Sequence, residues 1–185
     1  MSEKTHGTEG AAADLRYPIG KFRAPETISG EDREYWLSNL AELPSELRFA
    51  VEGWDMERLS TPYRDGGWTV CQLLHHIADS HMNAYCRMKL ALTQDWPTIV
   101  PYDEEKWAEL HDAKSAPVEW SLEIIESLHA RWAMLLLSLT PGDWLRGYKH
   151  PEMGPMTLER VLALYAWHGR HHTAHIAHLS QRMDW

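Results

Sequence analysis

Eight of the twelve histidines in this sequence fall in two short segments. The later segment, AWHGRHHTAHIAHLSQRMDW, contains five of them: His168, His171, His172, His175 and His178. The earlier segment, LLHHIADSHMN, contains His75, His76 and His81. Neutral imidazole is the commonest protein ligand for zinc and similar metals. The clustering therefore indicates a site for a divalent metal ion.

Two histidines four positions apart on a helix project from the same side, one turn apart, so that both can bind one ion. His168/His172 and His171/His175 both have this spacing, and spacing alone does not choose between them. A helical wheel places His168, His172 and His175 on the apolar face, with His171 nearer its edge. The wheel therefore favours His168 and His172 as ligands, with His175 as a partner that supports them.

A reactive metal site needs at least a third ligand, and the segment HHIADSH is its natural source. The apolar periodicity of this helix places His81 on the apolar side, whereas His76 lies toward the polar side with Gln72 and Asp79. Periodicity alone favours His81 as the third ligand. A site open to substrate can also be lined by a polar face, so His76 remains a candidate.

Signatures of several enzyme classes are absent from the sequence. The segment from His168 to His172 reads HGRHH, which has the H-x-x-x-H spacing but lacks the glutamate of H-E-x-x-H proteases. There is no G-x-S-x-G, P-loop or G-x-G-x-x-G motif, and the paired Glu-x-x-His motifs of di-iron bundles are missing. Three histidines with open coordination positions would make a reactive site rather than a structural one.

Four long segments with helical periodicity must position these histidines. The first begins near Gly30, and Pro44 is expected to kink or divide it. The others run from about Val70 to Leu92, from about Val118 to Leu139, and from near Thr157 almost to the last residue. Loops and a short helix in VPYDEEKWAELHD connect them, and no strand-like alternation of useful length is found. We predict an all-α four-helix bundle with an extended N-terminal arm and short extra helices.

The 185 residues suffice for one domain, predicted over residues 15–185 as a metal-binding bundle, with residues 1–14 as a flexible tail. The formal net charge of −9 and the lack of basic runs argue against nucleic-acid partners. No apolar run is long enough to span a membrane, and no signal peptide is recognised. Two cysteines without a CxxC pair, Cys71 and Cys86, fit a reducing cytosol, so a cytoplasmic protein is expected.

Over residues 15–185 the sequence resembles the YfiT-like branch of the DinB superfamily. The segments that carry the resemblance are YPIGKFRAPETIS, TPYRDGGWTVCQLLHHIADSHMNAYCRMKLALT, VPYDEEKW and LYAWHGRHHTAHI, in this order. The resemblance implies a four-helix bundle with one divalent ion, Zn²⁺ or Ni²⁺, bound by His76, His168 and His172, with water at the other positions. It agrees with the wheel on the last helix and replaces His81 by His76. Gly169-Arg170 departs from the Ser-His of other members, which leaves the ligands intact but alters the charge of the pocket.

The resemblance also implies a function. YfiT-like proteins are described as metal-dependent hydrolases that tend to be homodimers, so we expect a small-molecule substrate, activation of a metal-bound water, and a homodimer. Some relatives transfer the thiol bacillithiol to electrophiles, so a thiol S-transferase acting through a metal-bound thiolate is the alternative. A non-catalytic metal-binding module of the stress response is a third possibility, because a fold does not fix a function.

No catalytic residue is assigned from the sequence. Asp79 and Asn83 lie one and two turns after His76 and are expected to border the site. Arg87 or Arg170 could bind an anionic group of a thiol or substrate. Arg170 ranks lower, because its position on the helix directs it away from the ligand His168.

Overall fold

The four long periodic segments fold into four long helices in a computed structural model of the protein, which describes residues 14–185. The predicted tail, residues 1–14, lies outside the described residues except for Asp14. The elements in chain order are α1 (Gly30–Ala50), α2 (Met56–Leu59), α3 (Val70–Thr93), α4 (Glu104–Ala108), α5 (His111–Ser115), α6 (Val118–Leu137), α7 (Pro141–Trp144), β1 (Gly147–His150), β2 (Gly154–Thr157) and α8 (Leu158–Met183). The predicted all-α bundle is confirmed.

Each long helix packs against two of the others. Helix α1 packs against α6 and α8, and α3 packs against the same two helices, so α1 and α3 lie at opposite corners of the bundle. Within residues 14–185 no helix combines the length and apolar character that crossing a membrane requires. The described N-terminal arm runs over α8, where the Phe22 ring lies 5.8 Å from that of Trp167.

Pro44 lies within α1 but does not divide it, because the helix continues to Ala50. Proline has no N–H, so the carbonyl of Leu40, four residues earlier, loses its usual helical partner. Leu40 is 1% exposed, and its carbonyl therefore needs a donor from another part of the fold. His129 on α6 supplies that donor, with Nδ1 2.6 Å from the oxygen.

The apolar core consists of two clusters separated by a layer of imidazoles. One cluster includes Leu40, Met88, Trp132 and Tyr165, and the other includes Leu43, Ile77, Ile125 and Ile176. Each of the four long helices contributes residues to both clusters, and the boundary between the clusters falls at the same level of the bundle on each helix. At that level α3 carries His81, α6 carries His129 and α8 carries His168.

Residues 147–157, GYKHPEMGPMT, form an antiparallel hairpin in which Gly147–His150 pairs with Gly154–Thr157, although the sequence analysis predicted loops and no strands between the long helices. Strands of four residues are too short to produce a recognisable alternation in the sequence. Gly147 permits the close pairing, since a Cβ there would lie 2.2 Å from the Met156 carbonyl oxygen. The hairpin packs against α3 and leads directly into α8.

Helices α1 and α8 approach closely at Gly169, the residue after His168. A Cβ at position 169 would lie 2.5 Å from Leu43 Cδ2. Leu43 is 1% exposed and has little free space to move into. Glycine at this position therefore lets α1 pack against the part of α8 that carries the predicted ligands.

Gly169→Ala is expected to lower the free energy of unfolding by about 1–3 kcal/mol, because the added methyl group must displace Leu43. This loss outweighs the gain in helix propensity of about 1 kcal/mol. Urea denaturation measures the change. The matched control is Gly30→Ala, where no atom lies within 4 Å of the added Cβ and stability should stay equal or rise. Equal effects of the two substitutions would contradict the packing argument.

Candidate metal centre

Three imidazole nitrogens from two helices converge at one point. His168 Nε2 lies 3.3 Å from His76 Nε2 and 3.1 Å from His172 Nε2. Helix α3 contributes His76, and α8 contributes the other two from successive turns. The three donor atoms lie within 4.8 Å of one another. The structure thus brings together the three histidines that the resemblance implied as ligands.

The chemistry and spacing of this donor set fit a divalent ion. Burial lowers the pKa of His76 to about 4. Burial, followed by repulsion from His76, brings the pKa of His168 well below its usual value. The rings are therefore neutral at pH 7, which is the form that binds a metal. Nitrogens bound tetrahedrally at 2.0–2.1 Å stand about 3.4 Å apart, close to the two Nε2 separations at His168.

His81, which periodicity alone favoured as a ligand, lies behind His168 rather than among the converging nitrogens. Its Nε2 is 3.1 Å from His168 Nδ1, and its Nδ1 is 2.9 Å from His129 Nε2. The apolar side of α3 leads into the core, so the wheel was right about burial. His76 lies on the more polar side of α3, and this side faces the cleft that leads to the centre.

The alternative pair, His171 and His175, also forms, with 3.1 Å between the two Nε2 atoms. Together with His172 it makes a second group that could hold an ion, drawn entirely from α8. His175, expected to support the ligands, hydrogen-bonds to His171 and has its ring 4.2 Å from that of Tyr63. Within residues 14–185, the buried Nδ1 atoms of His171 and His172 have no hydrogen-bond partner.

His75 serves the fold rather than the centre. Its Nε2 lies 3.1 Å from the Ala116 carbonyl oxygen, and its Nδ1 lies 2.7 Å from Ser121 Oγ. Because a carbonyl only accepts, Nε2 donates to Ala116 and Nδ1 accepts from Ser121. These bonds connect α3 to the first turn of α6.

His129 was not singled out by the sequence analysis, yet it is 1% exposed and part of the imidazole layer. Burial lowers its pKa to about 4, although the bond to the Leu40 carbonyl opposes this shift. The signal in the sequence was weak: a single histidine between Ile125 and Trp132 on the apolar face of α6. A lone histidine of this kind has many possible structural roles.

Two open clefts reach the candidate centre, one lined by all three histidines and the other by His168 alone. The larger, about 830 Å³, is lined by His76, His168 and His172 together with residues that include Tyr17, Trp68 and His171. The other, about 670 Å³, contains His168 beside Arg87, Tyr148 and Tyr165. Glu104 and Glu105 on α4 line both. A small molecule can therefore approach the centre on either side of α4.

Of the residues expected to border the site or bind an anionic group, only Arg87 lines one of the two clefts. Asp79 and Asn83 do not line either cleft. Burial and the charge of Asp112 raise the pKa of Asp79 to about 6. Arg87 does line a cleft, whereas Arg170 is exposed and hydrogen-bonds to the Tyr35 hydroxyl at 2.8 Å.

Glu104 and Glu105 were missed, although VPYDEEKW was among the segments that carried the resemblance. Although Glu104 is exposed, partial withdrawal from water raises its pKa, and the nearby carboxylates of Glu105, Glu152 and Asp103 raise it further. A carboxylate with a raised pKa beside a metal site is a candidate proton acceptor.

Comparison with known proteins identifies the family. A model of the DinB superfamily matches residues 39–176, so the chain belongs to this superfamily. It is 54% identical over 172 residues to a protein of Bacillus mycoides (strain KBAB4) named "Putative metal-dependent hydrolase", across 93% of this chain and 99% of the relative. A protein of Bacillus thuringiensis subsp. konkukian (strain 97-27) with the same descriptive name matches at the same identity and coverage.

Among solved structures, the chain resembles YfiT from Bacillus subtilis. The TM-score is 0.90 at 50% sequence identity, over 92% of this chain and 98% of YfiT. YfiT is described as a probable metal-dependent hydrolase with an unusual four-helix bundle topology. The predicted family and bundle are both confirmed.

The metal-free protein is expected to lose stability as the pH falls from about 6.5 toward 4. His129 binds a proton in the unfolded chain but remains neutral in the folded one until the pH nears 4. The unfolding free energy therefore falls by up to about 1.4 kcal/mol per pH unit for this group. Urea denaturation in EDTA at several pH values measures the slope. His129→Gln should reduce this slope by up to about 1.4 kcal/mol per pH unit, the contribution of one proton. An unchanged slope would refute the lowered pKa of His129.

Proposed function

We propose that this chain is a metal-dependent hydrolase whose divalent ion is held by His76, His168 and His172. The observation that carries the proposal is the convergence of three neutral imidazole nitrogens. The Nε2 atom of His168 lies 3.3 Å from that of His76 and 3.1 Å from that of His172, and His168 lines both clefts. An all-nitrogen donor set suits Zn²⁺ or Ni²⁺. The names of the relatives support hydrolysis as the reaction.

A divalent ion with open positions supplies acidity, either to a bound water or to a bound thiol. The protein residues around it have other tasks. The rings of Trp68 and Tyr165 lie 4.8 Å and 5.6 Å from those of His76 and His168, and restrict how the ligands can turn. Glu104 or Glu105, which line both clefts, would accept a proton from the reacting nucleophile in this proposal.

The first test is metal content, measured by elemental mass spectrometry. Wild-type protein should contain about one ion per chain. His172 belongs to both candidate groups, so His168→Ala and His171→Ala form the informative pair of variants on the same helix. His168→Ala should lose the ion and His171→Ala should retain it. The reverse pattern would assign the ion to the second group, and an empty wild type after incubation with Zn²⁺ and Ni²⁺ would refute the proposal.

The second test separates the function classes. A hydrolase turns over ester or amide substrates with no added thiol, and chelation abolishes the activity. A thiol S-transferase requires a thiol together with an electrophile such as a halogenated aromatic. Inactivity toward both by the metal-loaded protein would favour the non-catalytic module.

We also propose that the substrate carries a negatively charged group that faces Arg87. Arg87 is 8% exposed and lines the cleft that contains His168. Among residues 14–185, no carboxylate pairs with its guanidinium, which donates to the Val100 carbonyl at 3.1 Å and lies over the Tyr102 ring. A buried cation without a counter-ion is a ready partner for a carboxylate or phosphate. The acidic residues Glu104 and Glu105 at the rim favour a substrate that is not anionic throughout.

Paired ester or amide substrates that differ only in one carboxylate test this assignment. Wild-type enzyme should prefer the carboxylate member by roughly tenfold or more in kcat/KM, as expected for a charged hydrogen bond of about 1.5–3 kcal/mol. Arg87→Met should remove the preference. Arg170→Met, an exposed arginine on α8, is the control and should retain it. A wild-type enzyme that is active on both members without preference would refute the role of Arg87.

A homodimer remains a proposal that rests on the family resemblance. Light scattering of the purified protein measures the mass directly.

A further inference from the structure

The carbonyl of Leu40 fixes the direction of a series of hydrogen bonds that ends at the candidate metal centre. Pro44 leaves this carbonyl without its helical donor, and His129 Nδ1 lies 2.6 Å from the oxygen. A carbonyl oxygen can only accept. His129 Nδ1 therefore carries the hydrogen and donates it. Either nitrogen of a neutral imidazole can carry the hydrogen, so this bond determines the tautomer of His129.

The same logic passes through two further rings. A neutral imidazole has one N–H, so His129 Nε2 must accept, and its partner at 2.9 Å is His81 Nδ1. Their ring planes differ by 15° with centroids 4.9 Å apart, so the two imidazoles lie nearly parallel. His81 Nδ1 thus donates, and His81 Nε2 must accept from His168 Nδ1 at 3.1 Å.

The series ends with one lone pair in a defined position. With its hydrogen on Nδ1, His168 has a bare Nε2, and this atom is the one that lies 3.3 Å and 3.1 Å from the Nε2 atoms of His76 and His172. His168 is the only member of the three whose Nδ1 has a hydrogen-bond partner among residues 14–185. It is therefore the ligand whose tautomer the fold itself determines.

We propose that Leu40, His129 and His81 form a hydrogen-bond relay that holds His168 as the Nδ1–H tautomer and directs its Nε2 lone pair to the metal centre. His81 and His129 are positioning residues that act through His168. Pro44 belongs to the same device, because it frees the carbonyl at which the relay begins. The tautomer of His168 follows from the hydrogen bonds alone, whereas the benefit to metal binding rests on the proposed function.

The direct test reads the ring tautomers in protein labelled with ¹⁵N histidine. Long-range ¹H–¹⁵N correlation spectra of the metal-free protein at pH 7.5 should show His129, His81 and His168 with a hydrogen on Nδ1 and none on Nε2. Single histidine variants assign the signals. His168 observed with its hydrogen on Nε2 in the wild type would overturn the relay, whether or not the protein binds a metal.

Two substitutions at His129 separate positioning from simple packing. His129→Gln keeps a donor for the Leu40 carbonyl and an acceptor for His81, so the His168 tautomer and the zinc affinity should stay within about threefold of wild type. His129→Leu removes both groups. His81 can then carry its hydrogen on Nε2 and donate it to His168 Nδ1, which leaves His168 as the Nε2–H tautomer. Zinc affinity, measured by competition with a chromophoric chelator, should fall by roughly 10–100-fold in this variant.

The outcomes distinguish the relay from the function it serves. Expected tautomers in a wild type that binds no zinc would leave the relay standing and refute the metal-dependent function. An unchanged His168 tautomer in His129→Leu, with only a loss of stability, would overturn the relay. If His129→Leu does not fold, the spectra of the wild type and of His129→Gln still decide between the two tautomers.

Discussion

A buried imidazole imposes a condition that a buried leucine does not, because both of its ring nitrogens need partners. This bundle places histidine at the same level of three helices and satisfies the resulting series of nitrogens from one backbone carbonyl. An unpaired buried donor or acceptor costs about 1–3 kcal/mol, so a break at any point leaves a penalty that no neighbour removes. The arrangement ties the position of α1, which supplies none of the three converging imidazoles, to the ring orientation of His168 on α8.

The layer also explains why the core is divided. Hydrocarbon on either side holds the four helices at a fixed separation, and close packing at Gly169 brings α1 against α8 beside the centre. Imidazoles in such surroundings stay neutral, which keeps their lone pairs free. The same burial would be unfavourable for a site built from carboxylates. The hydrophobic packing and the chemistry of the donors are in this sense a single constraint.

The helices could be predicted from the sequence because their signals are local: apolar spacing, capping residues at Ser29 and Thr69, and breaks at Pro and Gly. The pair on α8 could also be found, since four-residue spacing and burial agree there. The third histidine could not be chosen by periodicity, because the apolar side of α3 leads to His81 and the interior. His129 and the free carbonyl of Leu40 depend on which helices become neighbours, and no pattern within one helix contains that information.

The order of the helices along the chain has a consequence for biosynthesis. Helix α8 supplies two of the three converging imidazoles and is the last of the four long helices to be translated. Helices α1, α3 and α6 can meet earlier, but until α8 docks, the Nε2 of His81 has no partner and His76 has no companions. An ion captured before then would not find the three converging imidazoles. Any ion at the proposed centre would therefore bind after α8 has docked, because only then do the three nitrogens stand together.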